Sequence, residues 1–406
     1  MAGLSLCVLV LAGLVVWRVV DSPYVAPAGS DPAAAGEAEP GLATAALQRL
    51  QRAIASGDVA AAAALAPGDD PAAAERLRAA VDNAADLRLT GVTLRYVEQA
   101  SAVDAAGTWS AAVEVTWRLR GFDPAPARTE VAFTLRAEPD RVALVSAGGG
   151  GLRTPLWLAE PLRVARTPDT LVMVAGDAAE LREYAALARR AVPVVARVVP
   201  ADRTRLVVEV PASADQLDAL LDVPAGTYAG VAAVTAPVDG RDEPDGPLHV
   251  FVNPEEMSGL RPTGAQVVMS HEATHAVTDA PTSRAPLWLV EGFADYVALR
   301  DVDLPLSTTA AQAIARVRRE GLPAALPGTD DFDVAQTHLG ATYESAWLAC
   351  RVVAERAGQQ ALVRLYEATG RGEDLGATLR RVSGLSVGRL TRDWRGELRA
   401  LADAPG

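Results

Sequence analysis

The chain has 406 residues, half of them hydrophobic and 22% charged, with a formal net charge of −13. Such a length predicts two or three domains with enough apolar material for real cores, which excludes a chain disordered throughout. The acidic balance lacks the basic footprint that nucleic-acid binding needs, and two cysteines, Cys7 and Cys350, cannot build a disulfide framework and read as unpaired thiols.

Ala2 to Trp17 are almost wholly apolar, Arg18 interrupts, and Val19 and Val20 follow. Read as a helix, this is about the minimum length that crosses a bilayer. No small-x-small cleavage site follows directly, and Leu4-Ser5-Leu6-Cys7 is not a lipobox, because leucine precedes the cysteine and the apolar run follows it. Residues 1–20 are therefore expected to be a transmembrane anchor or an uncleaved signal. The expected location is the cell membrane, single-pass, with an extracytoplasmic body, although Arg18 pulls the other way under the positive-inside rule. Residues 21–41, rich in Ala, Pro, Gly and acidic side chains, read as a flexible tether.

Residues 42–151 form the first expected domain. Leu42 to Leu65 has helical spacing, and Ala72 to Ala85 is a second helical stretch. Alternating segments follow at Leu87 to Val97, Ser110 to Leu119, Thr129 to Ala137 and Arg141 to Ser146, closed by the glycine run Gly148 to Gly151. Two helices followed by a curved antiparallel sheet resemble the nuclear-transport-factor-like cone fold. That resemblance implies a pocket-forming scaffold; a spacer or packing domain is the plainer alternative.

Residues 152–406 form the second. Strands are expected at Thr170 to Val174, Arg205 to Val210, Ala229 to Ala236 and Leu248 to Val252, with helices at Asp177 to Val198 and Ser213 to Leu221. From Gly264 helices dominate: Gly264 to Val277, Pro286 to Leu299, Thr308 to Glu320, Thr342 to Ala357, Gln359 to Ala368, Leu375 to Val382 and Val387 to Ala402. A strand-rich first half and an all-helical second half make the fold class α+β.

His271-Glu272-Ala273-Thr274-His275 is an H-E-x-x-H motif within an unbroken helical run, and it uses two of the four histidines in the chain. Histidines four apart lie on one helix face, so both imidazoles can meet one metal ion. Zinc suits imidazole and carboxylate ligands and takes a third protein ligand plus water. Fifteen residues separate His275 from Glu291 in Leu287-Trp288-Leu289-Val290-Glu291-Gly292-Phe293-Ala294-Asp295-Tyr296, enough for a loop, broken at Pro281 to Pro286, and a return helix. Asp295, one turn after Glu291, is placed to accept the outer N–H of a ligand histidine. Trp288 and Phe293 are expected to pack the core around the site.

H-E-x-x-H followed by W-L-x-E-G-x-A-x-Y resembles the gluzincin clan of zinc metallopeptidases, in layout over Arg153 to Ala402 and in specific residues over Val267 to Tyr296. The resemblance implies a zinc triad of His271, His275 and Glu291, with Glu272 as general base for hydrolysis of a peptide or protein substrate. It also implies an oxyanion donor on a downstream helix, for which Tyr343 and His338 are the candidates. An edge strand before the metal helix would pair with an extended substrate, and Leu248 to Val252 stands at that place. Val252-Asn253-Pro254-Glu255-Glu256 departs from the aminopeptidase motif of the clan. His249 is expected to be structural or exposed. Two other readings stay open: a non-catalytic membrane-anchored scaffold that keeps the metal fold, and a chain whose first domain is its binding end. Oligomeric state and cleavage specificity have no signal in the sequence.

Overall fold

The computed structural model describes residues 38–199, 204–241, 243, 246–333 and 338–404. The expected anchor at 1–20 and most of the tether, together with Cys7, lie outside them. Among the described residues no helix is long and apolar enough to cross a membrane.

The chain begins with α1 (Pro40–Ser56), α2 (Val59–Ala63) and α3 (Pro71–Asp86). Gly57 takes a left-handed φ of 69°, which ends α1 where Asp58 caps α2; Asp70 caps α3 in the same way. The stripe Ala43, Leu47, Leu50 and Ile54 is buried against a four-stranded antiparallel meander: β1 (Leu89–Gln99), β2 (Thr108–Leu119), β3 (Ala127–Glu138) and β4 (Arg141–Ala147). Register shifts in the β1–β2 pair, at Thr90/Thr93 and Tyr96/Glu98, add bends to the sheet. After Gly151 comes a short helix that sequence periodicity does not signal, α4 (Leu156–Ala159). Asn83 of α3 holds it, donating to the carbonyls of Trp157 and Glu160 at 2.9 and 2.7 Å.

A second sheet contains β5 (Arg163–Arg166), β6 (Thr170–Val174), β7 (Leu206–Val210), β8 (Ala233–Pro237) and β9 (Leu248–Val252), in the order β5-β6-β7-β9-β8. The inner strands β6, β7 and β9 run parallel; β5 and β8 are antiparallel edges. Both faces are covered, which explains the unbroken apolar run in β6. Val172, Val208, Val250 and Val252 face a core shared with the helices. Leu171, Met173, Val207 and Phe251 face a core continuous with the first domain. The expectation that Leu248 to Val252 forms an edge is thus corrected: β9 lies between β7 and β8, and β8 is the edge. β8 also begins at Ala233 rather than Ala229, because Asp218 binds the amides of Gly226 and Tyr228 and holds the preceding residues in a loop.

The connecting helices are α5 (Ala178–Ala196), α6 (Ala214–Leu221) and α7 (Pro254–Gly259). The helical half follows: α8 (Pro262–Val277), α9 (Leu287–Ala298), α10 (Leu306–Thr309), α11 (Ala311–Glu320), α12 (Leu339–Ala357), α13 (Gln359–Gly370), α14 (Leu375–Ser383) and α15 (Val387–Asp403). α8 is buried on nearly every side, as expected of a helix that packs against α5, α9, β8 and β9 at once. α9 approaches α12 very closely, and Gly292 permits it: a Cβ there would collide with the Ala346 carbonyl and lie 2.9 Å from Cys350 Sγ. Cys350 is buried and has no disulfide partner among the described residues. The molecule is an α+β protein with two sheets.

Candidate metal centre

α8 presents His271 and His275 one turn apart, and Asp279, at a left-handed φ of 52°, turns the chain out of it. The chain returns as α9, whose start at Pro286 places Glu291 and Asp295 on the face toward α8. Three ligand-type atoms converge. His271 Nε2 lies 2.9 Å from His275 Nε2, and these lie 3.3 and 3.2 Å from Glu291 Oε2. This triangle approaches the edges of a tetrahedron around a metal held at 2.0–2.1 Å, roughly 3.3 Å each. The three side chains are buried and form a group able to hold a metal ion.

The tautomers explain why a cation fits. Asp295 Oδ1 is 2.7 Å from His271 Nδ1, so that nitrogen carries a proton and donates it, leaving the Nε2 lone pair aimed at the other two ligand atoms. Three electron-rich atoms within 3.3 Å repel unless a positive charge joins them. In the metal-free chain that charge is a proton. Burial opposes it on His271, but Asp295, Glu291 and Glu272 outweigh burial and raise the pKa to about 10. Burial likewise opposes charge on Glu291, yet the two imidazoles hold its pKa down to about 2. Glu291 Oε1 and His275 Nδ1 are buried without partners.

Glu272 is fully buried, and burial pushes its carboxyl up. Oε2 accepts a hydrogen bond of 2.8 Å from Thr235 Oγ1, a contact that the sequence does not reveal; Oε1 is buried without a partner. Tyr343, near the start of α12, has its ring centre 6.4 Å from that of His271, and Phe332 packs edge-on against its ring at 5.4 Å. Burial raises the Tyr343 hydroxyl well above the usual tyrosine range. A cavity of about 20 Å³, room for one water, lies against Asp295 and Tyr343. His338, by contrast, sits half-exposed with Nε2 3.4 Å from Glu320. Trp288 and Phe293 are core residues, the latter stacked on Tyr366 at 4.4 Å.

No protein-family model matches the sequence, and comparison with curated proteins finds no match.

His249 makes a different cluster. Its Nδ1 lies 2.6 Å from Glu209 Oε1 on β7, and its Nε2 3.0 Å from Asp123 Oδ1 in the turn between β2 and β3. All three side chains are buried. Burial opposes charge on the ring, but Asp123 and Glu209 outweigh it and raise the pKa to about 9. Arg166 and Arg205 reinforce the same junction by donating to the Leu87 and Gly121 carbonyls at 3.0 and 2.9 Å.

Proposed function

We propose that the chain is a zinc-dependent peptidase of the gluzincin type. The observation that carries this reading is the convergence of His271 Nε2, His275 Nε2 and Glu291 Oε2 within 3.3 Å of one another, beside a buried glutamate with one bare oxygen. Two imidazoles and a carboxylate are the three protein ligands that a catalytic zinc site takes, a water being the fourth. Zinc held there lowers the pKa of a bound water and polarises a substrate carbonyl.

The protein groups divide the remaining work. Asp295 fixes the tautomer and orientation of His271. Glu272 Oε1 takes the proton of the attacking water and returns it to the leaving amine. The Tyr343 hydroxyl donates to the oxygen on which charge develops. The free edge of β8 gives an extended peptide a strand to pair with, in place of the one expected at β9. The first domain, with helices against a bent meander, keeps its resemblance to the cone fold and serves here as a packing partner of the sheet. An N-terminal anchor would place the site beside a membrane, on its extracytoplasmic side, with peptide or protein substrates.

The test is zinc-loaded wild type beside Glu272→Gln, incubated with a mixed peptide library and read by mass spectrometry. Loss of the base is expected to lower cleavage by about 10²- to 10⁴-fold with zinc retained. Equal cleavage by both proteins would discard Glu272 as base. One observation favours the non-catalytic scaffold instead: His271, Glu272 and Glu291 are all 0% exposed. A wild type that binds zinc and cleaves nothing in the library supports that second reading.

A further inference from the structure

Strand β8 carries a side chain whose only side-chain partner among the described residues is the base. Alternation along the strand sends Val234 into the core toward the first domain and Thr235, opposite Val250, toward α8. Thr235 is 8% exposed. Its Oγ1 lies 2.8 Å from Glu272 Oε2 and 3.0 Å from the Glu272 carbonyl oxygen. A hydroxyl has one proton to give, and the charged carboxylate is the stronger acceptor. The second carboxylate oxygen, Oε1, is buried with no partner. A buried carboxylate oxygen in that condition is costly unless something arrives to donate to it.

We infer that Thr235 is a positioning residue for Glu272, holding one oxygen of the base so that the other stays bare for a proton delivered at the metal. The inference rests on the peptidase reading and adds to it a residue outside both sequence motifs. The anchor is stiff for reasons visible in the fold. Threonine is branched at Cβ and loses little by being held in one rotamer. The loop that leads into β8 is pinned at Tyr228, whose amide donates to Asp218 at 3.1 Å and whose carbonyl accepts from Asn253 at 3.0 Å. β8 itself is paired to β9 along its whole length, from Ala233 with Val252 to Pro237 with Leu248. The same strand that offers its free edge to a peptide therefore also aims the base. Because the hydrogen bonds of Thr235 go to Glu272 and not to the metal-ligand group, its loss should act on turnover and leave metal and substrate binding alone.

The experiment compares full-length, zinc-reconstituted wild type with Thr235→Val, Thr235→Ala and Thr235→Ser. Zinc content is measured for each, together with calorimetric affinity for acetohydroxamate, a metal-directed probe whose hydroxyl proton passes to an adjacent carboxylate. Thr235→Val is nearly isosteric, and Thr235→Ala covers the case in which the extra methyl misfolds the site. Zinc content is expected to be the same in all four. Acetohydroxamate affinity is expected to fall about tenfold in the Val and Ala variants, the loss of one hydrogen bond to a charged group, and to stay near wild type in Thr235→Ser. Where peptide cleavage is measurable, kcat should follow the same pattern with KM unchanged. Unaltered acetohydroxamate affinity in zinc-replete Thr235→Val and Thr235→Ala overturns the positioning role and leaves the peptidase reading intact. Absence of zinc from wild type overturns both.

Discussion

Two buried histidine–carboxylate clusters lie on opposite faces of the second sheet, and their hydrogen-bond arithmetic differs. Around His249 each ring nitrogen meets a carboxylate, Glu209 on one side and Asp123 on the other, so protons alone satisfy the geometry. Around His271 and His275 the two Nε2 atoms face each other and a carboxylate oxygen, and with the Nδ1 proton of His271 directed at Asp295 one positive charge, a proton or a metal ion, has to join all three. The first arrangement is a closed imidazolium tie that joins β7 and β9 to the first domain. The second calls for a cation. Counting donors against acceptors separates a structural ion pair from a candidate metal site, where burial and residue type alone would place them in one class.

The largest expected effect lies at His249. Its folded pKa of about 9 stands above the unfolded value of roughly 6.5. The stability it contributes is therefore complete below the unfolded value and is lost as pH rises through about 9. Urea unfolding of wild type is expected to weaken by on the order of 3 kcal/mol more than that of His249→Gln between pH 7 and pH 10. Equal pH dependence in both proteins would show that His249 is neutral and that the tie is an ordinary hydrogen bond.

Asp295 sharpens the other side. Asp295→Asn replaces the carboxylate that fixes the His271 tautomer with a neutral amide that can equally present a donor, and metal affinity measured by competition with a chelator should drop about 10- to 100-fold. An unchanged affinity would mean that the tautomer is set elsewhere. An effect of similar size is expected where no charge is involved. Gly292→Ala pushes α9 from α12, at a cost of about 1–3 kcal/mol in thermal or urea unfolding and with some loss of metal affinity. A neutral result would show that the two helices separate freely.

The candidate metal site was legible because its signal is local. Histidines four apart and a carboxylate on the next helix are fixed by helical geometry, and Asp295 follows from the same periodicity. Strand limits such as Thr170–Val174 and Leu248–Val252 could be read from apolar runs for the same reason. What escaped the sequence depends on which distant segments meet. That β8 and not β9 forms the edge follows from a crossover that inserts β9 beside β7. His249 finds Asp123 from 126 positions away, and Thr235 reaches Glu272 across 37. Gly292 reads as part of a motif until α12 is laid against it.

The measurement closest to the central claim is metal content of the folded, zinc-reconstituted chain by elemental analysis, for wild type, His271→Ala and His249→Gln. The account predicts about one zinc per chain in wild type and in His249→Gln, and little in His271→Ala. No stoichiometric zinc in wild type, or full zinc in His271→Ala, would contradict it.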